Sequence, residues 1–501
     1  AVARDMSGGD ENIVVLAGDA AFTNGISYEA LNNIAAQTKR LIIILNDNEW
    51  SIDKNVGAIA EYFHKIATNP TYVSLHDRVT GLLEKFGGKA ARHIARKAEE
   101  AAKGVIGRGM IFEEFGLNYY GPVDGHNLPL LIETLTFLKT QNRPVVLHAL
   151  TQKGRGFGPA LEQQKKFHGL GPYDPETGGS PGGAKAATQK TYSEVFAESL
   201  TKLATADDKV VAITAAMPNG TALDLFRPHH PTRYFDVGIA EEHAVLFAAG
   251  MATKGYRPFC AIYSTFLQRA FDQIVHDVAL QELPVVFCMD RGGLSGDDGP
   301  THHGLFDISY LRGVPNLIHM DPKDEDELQD MMYTALQHLG PSAIRYPRGT
   351  GPGAIPKAQP QALEIGRAEV LQDGHEVAIF SLGNMLPEAE KMAGELEAEG
   401  HSVAVINARF AKPVDAACVL RYAGRCDLLV TLEDHVLAGG FGSAVLEVLS
   451  DAELTTPVVR IGWPDQFIEH GKVDDLRRSY GVTAEAALDR VRPLLKRPVH
   501  A

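Results

Sequence analysis

Two short stretches of this sequence hold residue types that bind ligands. Gly18-Asp19-Ala20-Ala21 closes one branched apolar run, and Leu45-Asn46-Asp47-Asn48 closes the next. Asp19 and Asn48 are separated by about one strand–helix–strand period. Both therefore fall at carboxyl ends of neighbouring strands, where open α/β sheets bind their ligands. A carboxylate with an amide carbonyl oxygen suits Mg²⁺, a hard cation that also takes phosphate oxygens. The small Gly18, Ala20 and Ala21 let backbone N–H groups approach a diphosphate at a coming helix N-terminus. A strand–turn–helix corner with a capping Asp accounts for the same letters without a ligand.

The second signal, a third stretch, is Asp236-Val-Gly-Ile-Ala-Glu241-Glu242-His243. Glu241 stands where a strand hands over to an apolar helix. It reads either as a first-turn carboxylate favoured by the helix dipole or as a buried acid that bonds a ring nitrogen and promotes proton transfer.

Three α/β blocks carry these residues. In the first, Ile13–Ala17 and Leu41–Leu45 read as parallel strands buried on both faces, and Pro144–Ala149 as a further strand. Tyr28–Thr38 reads as the helix between the first two, and Ser74–Ala102 as a charged helical stretch. Gly169–Lys190, dense in Gly and Pro, reads as a linker. The second block has strands at Val210–Thr214, Tyr234–Gly238 and Pro284–Met289, with helices at Glu242–Lys254 and Phe266–Leu280. The third has strands at Glu376–Ser381, Ser402–Asn407, Leu428–Leu432 and Pro457–Ile461, with helices at Glu388–Glu399 and Phe441–Ser450.

Bulk properties narrow the class. With 45% hydrophobic and 22% charged residues in 501, the chain has the composition of a soluble multidomain globular protein. It has no apolar run long enough to span a membrane. The balance of 48 basic against 63 acidic residues, formally −15, argues against a general nucleic-acid binder. Cys260, Cys288, Cys418 and Cys426 form no CxxC pair, as expected in the reducing cytoplasm.

Longer strings tie the two signals together: LNDNEWSI, FEEFGLNYYGPVDGHN, KGRGFGPA, YFDVGIAEEHAV, AIYSTFLQRAFDQIVHDVALQELPV, GPTHHGLFDISYLRGVPN and SAIRYPRG. They resemble the 1-deoxy-D-xylulose-5-phosphate synthase family, thiamine-diphosphate-dependent enzymes of the transketolase superfamily. The resemblance covers essentially the whole chain. It implies three α/β domains with mostly parallel sheets: a diphosphate-binding domain over residues 1–168, a linker over 169–190, a pyrimidine-binding domain over 191–355 and a transketolase C-terminal-like domain over 365–501. It also implies decarboxylative carboligation of pyruvate with D-glyceraldehyde 3-phosphate, an early step toward isoprenoid precursors, in a cytoplasmic homodimer with thiamine diphosphate and Mg²⁺.

Site residues carry over by position. Asp19 and Asn48 match the Mg²⁺ ligands, Ala20 and Ala21 the diphosphate contacts, and Phe157 an aromatic beside the cofactor. Glu241 matches the acid that bonds the aminopyrimidine, and Phe266 the ring that stacks on it. His168 and His302 match histidines over the reacting carbon, with Asp298 nearby. Tyr263, Arg269, Arg291 and Arg348 match the group that grips the aldehyde's phosphate. His303 and Arg345 read as structural, Arg345 as an ion-pair partner.

Three departures stand out. Ala20 replaces the usual Gly, which requires a negative φ; Glu242 replaces the usual Gln; and the family's preceding segment is absent from these letters. The last departure predicts an incomplete sheet or a covered surface in the first domain. It also keeps open an inactive partner as an alternative, beside transketolase or a 2-oxo acid dehydrogenase component.

Overall fold

The computed structural model describes residues 1–50, 54–68, 111–164, 166–168, 171–179 and 189–495. The helical stretch expected at Ser74–Ala102 and much of the expected linker lie outside them. The chain forms two compact units, one of Ala1–Lys185 with Val237–Ala240, the other of Ala186–Asp236 with Glu241–Ala501.

Among the described residues, the first unit holds a parallel sheet of β1 (Val14–Gly18), β2 (Ile42–Asp47), β3 (Asn118–Asp124) and β4 (Val145–Leu150) in the order β1-β2-β4-β3. Its core packs Phe22, Leu31, Leu45, Phe63, Phe112 and Val146. The helix between β1 and β2 runs Gly25–Gln37, and the Asn24 side chain caps it by accepting from Ile26 N–H. β2 and β4 have the burial expected of central strands, but β1 does not. It lies at the sheet edge with Val14, Val15 and Leu16 exposed, Leu16 at 71%. A continuous apolar run specifies a strand but not its rank in the sheet, so the expectation that this strand is covered on both faces is corrected.

The second unit contains two sheets. One is made of β5 (Val210–Thr214), β6 (Tyr234–Asp236), β7 (Arg257–Tyr263), β8 (Val286–Asp290), β9 (Ile318–Met320), β10 (Ser342–Tyr346) and β14 (Phe410–Lys412), in the order β14-β9-β10-β8-β7-β5-β6. The other is made of β11 (Glu369–Gln372), β12 (Val377–Ser381), β13 (Val403–Asn407), β15 (Leu428–Val436) and β16 (Val458–Trp463), in the order β11-β13-β12-β15-β16. The pairings are parallel except at β11 and β14. β14 follows β13 in sequence yet adds antiparallel to β9, so the third block contributes an edge strand to the second sheet. Phe196, Phe259, Val286 and Ile344 pack one core; Ile379, Val405, Val430 and Ile461 pack another.

The single helix expected over Phe266–Leu280 is broken. An α-turn at Ser264–Leu267, a 3₁₀ turn at Gln268–Ala270, a short α-turn at Phe271–Gln273 and a π-helical stretch at Ile274–Ala279 follow one another. Leu267, Ala270, Ile274 and Val278 are all buried, so the apolar spacing of a helix survives the change in winding.

Candidate active site

In the first unit, β1 ends at Gly18 and a 3₁₀ turn, Asp19–Thr23, begins. Ala20 lies in that turn and is not among the positive-φ residues, so the Gly-to-Ala departure costs no backbone strain. The Asp19 carboxylate is buried; its Oδ2 accepts from Glu49 N–H at 2.8 Å and from Asn55 Nδ2 at 2.8 Å. Its Oδ1 is buried with no hydrogen-bond partner. Burial, and then the charge of Asp47, push the Asp19 pKa up to about 7. A Cβ built on Gly18 meets nothing within 4 Å. A cavity of about 350 Å³, lined by Asp19, Asp47, Lys54 and His64 among others, opens beside the carboxylate. The Asn48 carbonyl oxygen accepts one bond, from Trp50 N–H at 2.9 Å, and has a second lone pair. An unpaired carboxylate oxygen, an amide oxygen and adjoining space fit Mg²⁺ and a diphosphate.

Behind Asp19 stand groups that sequence spacing does not reveal. Glu49, at φ 63°, turns its N–H toward both Asp19 and Asp47, at 2.8 and 3.3 Å. Asp47 Oδ2 meets His148 Nε2 at 2.8 Å, and His148 Nδ1 meets the Tyr119 hydroxyl at 2.6 Å, all buried. The alternation of side chains along a strand offered one clue, since Asn46 and Asn48 share a face that Asp47 does not.

Elsewhere in this unit Phe157 precedes the helix Gly158–Glu162 and packs against Phe167 and Tyr173, at ring separations of 5.5 and 5.7 Å. His168 is exposed, with Lys153 Nζ 2.9 Å from its Nδ1; partial desolvation and that ammonium lower its pKa.

In the second unit Glu241 opens the helix Glu241–Ala252 and is 2% exposed. Burial raises its pKa, against the opposing charge of Arg269, whose Nη1 lies 2.8 Å from Glu241 Oε2. Arg269 thus pairs with the candidate acid rather than with the other three residues expected to grip phosphate.

Those three converge. The Arg291 guanidinium lies 3.7 Å from the centre of the Tyr263 ring. Arg291 is 3.6 Å and Arg348 is 3.2 Å from the Asp298 carboxylate. Arg291 is further held by Asp290 Oδ1 at 2.8 Å and Gly220 O at 3.0 Å, while its Nε is buried without a hydrogen-bond partner. A Cβ on Gly220 would come within 1.6 Å of the Tyr263 hydroxyl, so only glycine allows this approach. Phe266 stacks on Tyr263 at 5.5 Å and 22°, and meets His302 edge-on at 5.2 Å. Burial lowers the His302 pKa, against Asp298, so its imidazole is neutral near pH 7 and able to accept or return a proton. Cations, a flat ring and a neutral imidazole on one surface can hold a phosphorylated small molecule beside a π-system.

His303 and Arg345 are structural. His303 is buried between Ser295 N–H and Glu469 O. Arg345 is buried and paired with Asp307 and Asp321, at 3.0 and 2.6 Å.

Three family models match successive parts of the chain. Residues 1–151 match the model described as 1-deoxy-D-xylulose-5-phosphate synthase, 188–353 the transketolase pyrimidine binding domain and 366–486 the transketolase C-terminal domain. A protein of Acidobacterium capsulatum named 1-deoxy-D-xylulose-5-phosphate synthase is 69% identical over 99% of this chain and 79% of its own length. The chain belongs to the 1-deoxy-D-xylulose-5-phosphate synthase family. A synthase of this name from Methylacidiphilum infernorum is 64% identical over 99% of the chain and 78% of its own length. Among solved structures, one titled a split gene transketolase, an inactive beta4 tetramer, is 31% identical with a TM-score of 0.54, over 61% of this chain and 98% of its own. The transketolase of Campylobacter jejuni shares the fold at 16% identity, with a TM-score of 0.51 over 98% of this chain and 79% of its own. The synthase family is thus an enzyme family on a transketolase fold of three α/β domains. Among the described residues, no helix is long and apolar enough to cross a membrane.

Proposed function

We propose that this chain joins pyruvate to D-glyceraldehyde 3-phosphate with loss of CO₂, giving 1-deoxy-D-xylulose 5-phosphate. Support comes from the names of relatives at 69% and 64% identity and above all from one geometric observation. The guanidinium groups of Arg291 and Arg348 converge on one carboxylate, Asp298, with Arg291 stacked over the Tyr263 ring, and two such cations side by side offer charge-assisted donors of the kind a phosphate monoester takes.

Thiamine diphosphate, when bound, supplies the nucleophilic carbon and the electron sink. Asp19 and Asn48 hold its Mg²⁺ through side-chain oxygens, while Ala20 and Ala21 present backbone N–H groups to the diphosphate. Glu241 holds or takes a proton at the ring nitrogen of the aminopyrimidine, and Phe266 gives that ring a flat apolar face. Phe157 is a further contact of the cofactor and His168 of the substrate. His302, oriented by Phe266 and Thr301, moves a proton at the substrate oxygen. Asp298 spaces Arg291 and Arg348, which with Tyr263 take the phosphate, while Arg269 stays with Glu241. Residues 1–168, 191–355 and 365–501 are the corresponding domains. Four free, buried cysteines are in keeping with a reducing, cytoplasmic location, and we read the enzyme as a homodimer.

The test is product formation from pyruvate and D-glyceraldehyde 3-phosphate with thiamine diphosphate and Mg²⁺. Reduction of lipoamide in place of sugar formation would assign the chain to acyl transfer instead.

A further inference from the structure

The loop that carries the phosphate cluster opens on a strained residue. Arg291, a non-glycine residue, has φ 60°, and Gly293, Gly296 and Gly299 follow at 88°, 70° and 79°. A backbone of this kind persists only where its surroundings over-determine it. Here the surroundings come from the third block. Asp434, in β15, is 2% exposed and accepts four bonds. Its Oδ1 takes Leu294 N–H at 3.2 Å and Trp463 Nε1 at 2.7 Å; its Oδ2 takes Asn384 Nδ2 at 2.9 Å and Arg477 Nη2 at 3.0 Å.

The tie reaches the cluster in one residue. Leu294 N–H is fixed by Asp434, and the next residue, Ser295, gives its carbonyl to Arg348 Nη1 at 3.0 Å. Ser295 N–H is fixed in turn by His303 Nδ1 at 3.1 Å, and Ser295 Oγ by the His302 carbonyl at 2.7 Å. At Gly293 a Cβ would stand 2.5 Å from Asp434 Oδ2, so the carboxylate and the loop backbone are in direct contact. Asp434 touches none of Tyr263, Arg291 or Arg348 through a described hydrogen bond. Its three other donors, Trp463, Asn384 and Arg477, all belong to the third block.

We infer that Asp434 is a positioning residue for phosphate recognition: through the backbone of Leu294 and Ser295, the third block sets the place of Arg348 and so the preference for a phosphorylated aldehyde. This rests on the reading of Tyr263, Arg291 and Arg348 as the phosphate site.

The experiment compares D-glyceraldehyde 3-phosphate with unphosphorylated glyceraldehyde in the full-length enzyme. It also measures competitive inhibition by inorganic phosphate. Asp434→Asn keeps the volume but loses the charge. It should raise KM for the phosphorylated aldehyde about tenfold, the scale of a lost charge-assisted bond. The phosphate inhibition constant should rise in parallel, with KM for glyceraldehyde shifting less than twofold. Asn384→Ala removes one donor from a half-buried position and should shift the same ratio about threefold. It carries the test if Asp434→Asn does not fold. Equal losses on both aldehydes, or no change in either variant, would overturn the proposal. Arg348→Ala is the control. If it is selective and the Asp434 and Asn384 variants are not, only the positioning role falls; if it is itself unselective, the phosphate-site reading falls and this inference with it.

Discussion

Arg269 Nη1 lies 2.8 Å from Glu241 Oε2, so the buried candidate acid of the second unit is partnered by a cation whose side chain is 40% exposed. Burial raises the Glu241 pKa and Arg269 is the largest opposing influence. Removing the guanidinium by Arg269→Ala should therefore raise that pKa further. If the ionised carboxylate is the working form, the acidic limb of the pH–rate profile moves to higher pH, and activity near neutrality falls. An unmoved limb would detach Arg269 from Glu241.

Glu241→Gln should reduce turnover by roughly 10²–10⁴-fold, the usual worth of positioned acid–base help. Thiamine diphosphate affinity should change much less, because the amide still makes a hydrogen bond. Calorimetric titration beside steady-state turnover separates the two. Glu242→Gln, which restores the residue common in the family, should be mild.

Asp19→Asn removes the charge that the unpartnered Oδ1 offers a cation. Thiamine diphosphate affinity measured with Mg²⁺ should drop at least tenfold, while affinity measured in excess chelator should hardly differ from the parent's. The same loss with and without metal would mean that Asp19 only shapes the turn.

His435 gives a stability test in acid. Burial lowers its pKa to about 4. Nδ1 donates to Val436 O at 2.7 Å and Nε2 accepts from Ser309 N–H at 3.3 Å, which is the neutral tautomer. A depressed histidine pKa stabilises the fold above its unfolded value near 6.5, and that contribution is lost as pH falls toward 4. Full loss is on the order of 3 kcal/mol at one pKa unit per 1.4 kcal/mol. Asp321 and Glu433, each raised to about 7 by burial, act in the opposite direction, so the parent curve alone is flattened. The difference in melting temperature between parent and His435→Gln isolates the term. It should be widest at pH 7.5 and narrow by pH 4.5; a constant difference would rule out the titration.

The letters by themselves determined the three α/β blocks and most of their strands, because branched apolar runs and helical spacing are local properties. Val210–Thr214 matches the expected strand residue for residue. Spacing also set Asp19 and Asn48 just past the carboxyl ends of two strands that do pair, and the family resemblance grouped Arg291 with Arg348, which both approach Asp298. Only the tertiary structure decided the rest. The residues of β1 read as a covered strand, yet β1 is an edge, because rank in a sheet depends on which strands pair and not on the strand's own residues. Phe266–Leu280 keeps the apolar period of one helix but winds in three ways, since the period records burial and not the hydrogen-bond register. Arg269 left its expected partners for Glu241, and Asp434 reached Leu294 across 140 positions. Pairings over such separations arise when sheets pack, and no local spacing encodes them.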